Sequence, residues 1–164
     1  GVYPASTLVT TLTERFVHCY ARQGNGLSFL FSSVAECLED LSARGIPIGV
    51  CSNKPHEFCV SLLSDLGVVK QFDAIQGSSG DLPKKPDPTL LHRALEKLGV
   101  APENALYVGD SETDVRTARA AGVPVALVEY GYSSTPVQSL GADWVIASLD
   151  QLATVLQPLP SKAS

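Results

Sequence analysis

The apolar positions of the chain switch between two periods, and each switch marks an element. Over residues 7–22, Leu8, Leu12, Phe16, Cys19 and Tyr20 recur at helical spacing, which predicts a helix with one apolar face despite a Thr-rich start of weak propensity. Gly24-Asn25-Gly26 ends it, and a G-x-G that follows a helix rather than a strand is not a dinucleotide signature. Val34, Cys37, Leu38 and Leu41 predict a second amphipathic helix over 33–44, closed by Gly45. Ile46 to Cys51 reads as a buried strand with Pro47 near its first position, followed by a turn at Ser52-Asn53-Lys54-Pro55. A helix over 56–66 presents Phe58, Leu62, Leu63 and Leu66 and stops at Gly67. Then come a short strand at 72–77, a loop rich in Gly, Ser and Pro over 78–88, and a helix over 89–98 capped by Gly99. A strand at 105–108 leads into a helix that ends at Gly122. Val125 to Val128 is the next buried strand, Glu129 to Tyr132 a turn, 143–146 a final strand and 148–156 a last helix, with a frayed tail over 158–164.

Strands alternating with helices over short links imply an α/β fold: a parallel sheet with helices on both faces. At 164 residues the chain makes one domain with a substantial core. No internal repeat is visible.

Composition narrows the function. The net charge is −5 and the longest basic run is Lys84-Lys85, so nucleic acid is excluded as a partner, because binding a phosphate backbone needs clustered Lys and Arg. No stretch approaches the length of a membrane span, and no basic segment followed by an apolar run marks a signal peptide. The chain starts at Gly1 and contains no Met, so a start lying further upstream is an open expectation. Cys19, Cys37, Cys51 and Cys59 lack C-x-x-C spacing and fall mostly in apolar patterns, which points to buried free thiols in a reducing cytoplasm. His18, His56 and His92 are far apart in helical patterns, which favours surface or core roles over metal ligation.

Three predicted strands end in polar groups of different chemistry. The first delivers Ser52 and Asn53, a hydroxyl and an amide suited to an anionic oxygen. The loop after the second carries Lys85. The third ends in Val108-Gly109-Asp110-Ser111-Glu112-Thr113-Asp114, two carboxylates one helical turn apart, which suit a hard cation such as Mg²⁺. Parallel strands end on one edge of a sheet, where open α/β sheets bind ligands. Together these groups describe a site for metal-assisted phosphoryl transfer, in which catalysis is mostly positioning and charge neutralisation. Each has a plainer reading. Ser52-Asn53 is also ordinary turn chemistry, Lys84-Lys85 a solvated pair, and Ser111 with Asp114 the S-x-x-D signature of a helix start, in which Asp114 caps rather than ligates.

The segments Val50 to Lys54, Lys85-Pro86-Asp87-Pro88 and Val108 to Asp114 resemble, in order, the second, third and fourth motifs of the haloacid dehalogenase superfamily of hydrolases, most closely its phosphoglycolate phosphatase-like branch. Tyr130-Gly131-Tyr132 and Gly141-Ala142-Asp143 also resemble that branch. The resemblance implies a Rossmann-like three-layer α/β/α core over residues 31–157, a partial helical cap segment over 1–30 and a flexible tail over 158–164. It also implies roles. Ser52, with Asn53 beside it, would bind the phosphoryl group. Lys85, which directly precedes the proline as Lys84 does not, would neutralise phosphate and nucleophile. Asp110 would ligate Mg²⁺, and Asp114 would do so directly or through water.

The family's opening Asp-x-Asp-Gly-Thr motif is missing, and no Asp-x-Asp occurs in the 164 residues. The resemblance then implies a truncated phosphatase, with weakened Mg²⁺ binding and little or no activity alone; its intact form would hydrolyse small phosphorylated metabolites through an aspartyl-phosphate. The alternative is a non-catalytic protein that keeps the pocket for phosphate, metal or partner contact. A receiver domain fits poorly, because its lysine would have to follow the strand at 105–108. The missing motif also removes a central strand, whose loss would expose two apolar strand edges. Three ways to fill the gap are the segment Val2 to Leu12, a second copy of the chain by dimerisation or strand exchange, and direct rejoining of the sheet.

Overall fold

The computed structural model describes residues 7–10, 32–130 and 135–156. Its elements in chain order are β1 (Thr7–Thr10), α1 (Ser32–Ala43), β2 (Ile48–Pro55), α2 (His56–Asp65), β3 (Ala74–Ser78), α3 (Thr89–Leu98), β4 (Ala105–Gly109), α4 (Glu112–Ala121), β5 (Val125–Val128), β6 (Trp144–Ile146) and a short α5 (Leu152–Val155). The six strands form one sheet in the order β3-β2-β1-β4-β5-β6, and every described pairing is parallel.

Alternation along the strands separates two cores, as a period of two requires. Ile48, Val50, Leu106, Val108, Ala126 and Val128 pack with α1, α2 and the C-terminal helical turns on one face. Cys51, Ala105, Tyr107, Val125 and Leu127 pack with Leu90, Leu91, Ala94 and Leu95 of α3 and Val115 and Ala118 of α4 on the other. The result is the three-layer α/β/α arrangement that the alternating pattern predicts. Helices α3 and α4 end on the expected glycines, Gly99 at φ 66° and Gly122 at φ 69°.

The helix expected over 7–22 is overturned where it can be followed. Thr7–Thr10 is a strand, with Thr10 beside Val50 of β2 and Val108 of β4. The helical spacing of Leu8 and Leu12 loses to tertiary context: a slot between two apolar strands offers ladder hydrogen bonds on both sides, and three of these four residues are β-branched. The chain's own segment fills the centre of the sheet, so β2 and β4 are not rejoined directly. These four residues belong to the core sheet. The remainder of the segment expected as a cap, residues 131–134 and the tail lie outside the described residues.

Strand β2 also runs further than expected. Ser52-Asn53-Lys54 continues the strand to Pro55 instead of turning, with an irregularity in its pairing to β3 between Cys51 and Pro55. Two aspartates fasten the opposite edge of the sheet. Asp73 takes the Ile48 N–H on Oδ2 at 2.8 Å and gives its own N–H to the Ile48 carbonyl at 2.8 Å. Asp143 does the same to Val125, at 2.8 and 2.9 Å, and pairs with Arg119 through both carboxylate oxygens. Each holds the first residue of its inner neighbour in register.

Candidate active site at the carboxyl ends of the strands

Strands β2 and β4 run out at the same edge of the sheet on either side of β1, and the loop after β3 folds over them. Ser52 is buried within β2, where its pairing to β3 becomes irregular, and its Oγ accepts the Lys54 N–H at 3.1 Å. The next side chain, Asn53, reaches the loop: its Oδ1 accepts the Lys85 N–H at 2.7 Å, and its Nδ2 donates to the Lys85 carbonyl at 3.1 Å. Ser78 Oγ donates to the Asn53 carbonyl at 2.9 Å and ties β3 to the same point. Gly77 makes this closeness possible, because a Cβ there would lie 2.5 Å from the His56 Cα and 2.7 Å from the Lys54 carbonyl oxygen.

Held by its main chain, Lys85 turns inward. Its side chain is 8% exposed although it sits on a loop, whereas Lys84 is exposed. Its Nζ donates to Asp114 Oδ1 at 2.8 Å and to the Tyr107 hydroxyl at 3.2 Å. The Tyr107 hydroxyl in turn donates to the same Asp114 oxygen at 3.2 Å.

The hydrogen bonds of Asp114 build a helix cap. Oδ2 accepts the Asp110 N–H at 3.1 Å, the Ser111 N–H at 3.2 Å and the Ser111 hydroxyl at 2.7 Å, and the Asp114 N–H donates in return to the Ser111 Oγ. This is a complete capping box at the start of α4. With Lys85 and Tyr107 on Oδ1, the two oxygens accept five hydrogen bonds. Burial opposes ionisation of Asp114, but the Lys85 ammonium, the bonds from Lys85 and Ser111 and the Asp110 amide outweigh it and hold the carboxyl below the usual carboxylate range. Gly109 is needed for this arrangement, since a Cβ there would lie 2.4 Å from the Asp114 Cβ.

Asp110, which is also buried, stands at the same strand end. Among the described residues no group of three or more His, Cys, Asp or Glu comes together. Mg²⁺ commonly binds through one or two carboxylates, several waters and substrate phosphate, a habit that Asp110 fits; the oxygens of Asp114 beside it already accept five hydrogen bonds.

Tyr107 and Gly109 were missed by reading the motifs. A signal existed for the first: a hydroxylated aromatic inside an otherwise aliphatic buried strand must find a polar partner for its O–H.

The family model described as haloacid dehalogenase-like hydrolase matches residues 4–128. The chain belongs to that family. Phosphoglycolate phosphatase from Rhodospirillum rubrum is 43% identical over 141 residues, covering 86% of this dehalogenase-like hydrolase chain and 57% of the relative. Phosphoglycolate phosphatase from Escherichia coli K12 is 38% identical over 130 residues, covering 79% and 52%. The chain thus spans little more than half the length of these relatives. A crystal structure of a predicted phosphoglycolate phosphatase from Haemophilus somnus superposes with a TM-score of 0.73 at 30% identity, covering 78% of this chain and 57% of that one. CbbY from Rhodobacter sphaeroides, in complex with phosphate, superposes with a TM-score of 0.67 at 26% identity, covering 76% and 56%. Within that family the chain is similar, over part of their length, to phosphoglycolate phosphatases.

Proposed function

We propose that this chain carries the phosphate- and cation-handling part of a Mg²⁺-dependent phosphomonoesterase of the phosphoglycolate phosphatase type, acting on a small phosphorylated metabolite in the cytoplasm. The observation that carries this reading is the buried Lys85 ammonium, fixed 2.8 Å from Asp114 at the edge where Asp110 follows β4 and Ser52 lies in the irregular part of β2. Water-excluded, pre-oriented donors of this kind stabilise the charge of a transferring phosphoryl group without reorganising during reaction.

In this reading Ser52 gives its hydroxyl to a phosphoryl oxygen. Lys85 donates to the phosphoryl oxygens and neutralises their charge, and Asp110 holds the cation. Mg²⁺, when bound, would supply further neutralisation of the phosphoryl oxygens. Asn53 and Asp114 act through Lys85, one on its main chain and one on its ammonium. Hydrolysis through an aspartyl-phosphate requires a carboxylate nucleophile, and the sequence holds no Asp-x-Asp. The chain alone is therefore inactive or weakly active, since losing a nucleophile costs several orders of magnitude in rate.

That same absence supports a second reading, in which the pocket binds phosphate without turnover. Hydrolysis of p-nitrophenyl phosphate with Mg²⁺, set beside a titration with inorganic phosphate, separates the two. Turnover sensitive to EDTA and abolished by Asp110→Ala would establish the catalytic reading. Phosphate binding without turnover would establish the binding one, and the absence of both would overturn the site.

A further inference from the structure

We propose that Tyr107 is a positioning residue whose hydroxyl fixes the direction in which the Lys85 ammonium offers its remaining hydrogen; this rests on the phosphate site proposed above. An ammonium has three N–H donors and rotates about its terminal bond. Asp114 alone would fix one donor, at 2.8 Å, and leave the group free to turn about that contact. The Tyr107 oxygen accepts a second donor at 3.2 Å and so fixes the rotation. One N–H is left, with its direction set.

The phenol can do this because its own proton has a defined place. It is donated to Asp114 Oδ1 at 3.2 Å, so the oxygen turns its lone pairs to the lysine, and Nζ, the hydroxyl oxygen and Oδ1 close a three-membered ring of hydrogen bonds. Burial, with Cys51 and Asp114 alongside, raises the phenol well above its ordinary pKa and keeps that proton in place. The tyrosine is fully buried in the layer beneath α3 and α4 and is out of reach of substrate, so its effect passes through Lys85.

The test uses the full chain and Tyr107→Phe, which removes only the hydroxyl, with Lys85→Met alone and combined. The first readout is the ¹H–¹⁵N correlation of the Lys85 ammonium, assigned by its loss in Lys85→Met. Slow ammonium rotation is expected in the wild type and faster rotation in Tyr107→Phe. The second is affinity for inorganic phosphate, expected to fall roughly three- to tenfold in Tyr107→Phe, the worth of about one hydrogen bond, and to stay unchanged by Tyr107→Phe when Lys85 is already Met. Equal loss in both backgrounds, or unchanged ammonium rotation, would overturn the proposal. If the wild type binds no phosphate but its ammonium is loosened by Tyr107→Phe, the positioning stands and the phosphate site falls. Should Tyr107→Phe fail to fold, 3-fluorotyrosine at this position keeps the ring and hydroxyl while weakening the acceptor. Its ammonium should still turn faster than the wild type's, and unchanged rotation would overturn the proposal there too.

Discussion

The carboxamide of Asn53 closes on the peptide of Lys85 from both sides, accepting its N–H at 2.7 Å and donating to its carbonyl at 3.1 Å. A side chain thus provides the pairing that a neighbouring strand would otherwise give, and it pins a loop residue to the end of β2. Asn53→Ala leaves two partly buried main-chain groups without their partner and should destabilise the chain by about 1–3 kcal/mol. Asn53→Asp should also destabilise it, because the carboxylate can still accept the N–H but faces the Lys85 carbonyl with a second acceptor. Urea unfolding measures both, and a phosphate titration of each variant should show weaker binding.

The Lys85–Asp114 pair is asymmetric in what surrounds it. Asp114→Ala leaves a buried ammonium with Tyr107 as its protein partner and removes the capping box, so a loss of about 3–5 kcal/mol is expected. Lys85→Met should cost less, because Asp110 and Ser111 still donate three hydrogen bonds to Oδ2. Thermal unfolding of the two variants checks the order, and a reversed order would mean that the lysine carries the pair. Gly109→Ala, whose Cβ must displace Asp114, should resemble Asp114→Ala at about 3 kcal/mol or more.

Asp73 and Asp143 repeat one device at two separated places on the sheet, each gripping the first residue of the adjacent inner strand. Asp73→Ala and Asp143→Ala should each cost about 1–3 kcal/mol. The double variant should show their sum within about 0.5 kcal/mol, as expected for sites without shared partners. Denaturant titration of the single and double variants measures this, and a larger deviation would reveal coupling through the sheet.

The buried Cys51 and the partly buried Cys37 give the stability an alkaline limit. Burial raises Cys51 from 9.0 to about 12 and Cys37 from 9.0 to about 11. A raised folded-state value means that the unfolded chain loses its proton first. Stability from this source is complete below pH 9 and lost as pH rises through 11 to 12. Unfolding free energy should fall across that window with a contribution from Cys51 of about 1.4 kcal/mol per pH unit. Cys51→Ala should flatten the slope, and urea unfolding at a series of pH values from 8 to 10.5 would show whether it does.

The elements whose periodicity and terminators agree were legible in the sequence. Thr89–Leu98 and Val125–Val128 fall where the apolar pattern and the terminators Gly99 and Gly122 put them. The site was legible as a set of residues because a parallel sheet delivers its strand ends to one edge, whatever the loops do. The division of labour within it was not. Asn53 was expected at phosphate and Asp114 at the metal; the sequence did not show that the carboxamide of the first also grips a main chain or that the carboxylate of the second takes five donors.

By itself, then, the sequence determined the α/β alternation, the two-sided burial of the strands, and the gathering of Ser52, Lys85 and Asp110 on one edge, all of which follow from local period and topology. Only the tertiary structure decided that Thr7–Thr10 is a strand, because its helical spacing is overridden by a slot that exists only once β2 and β4 stand side by side. Only the tertiary structure assigned Tyr107 to the lysine, because that contact spans 22 residues of chain and depends on where Asn53 anchors the loop. Short-range pattern fixes which elements form, while long-range contacts, whose energy appears only on packing, fix which oxygen each donor finds.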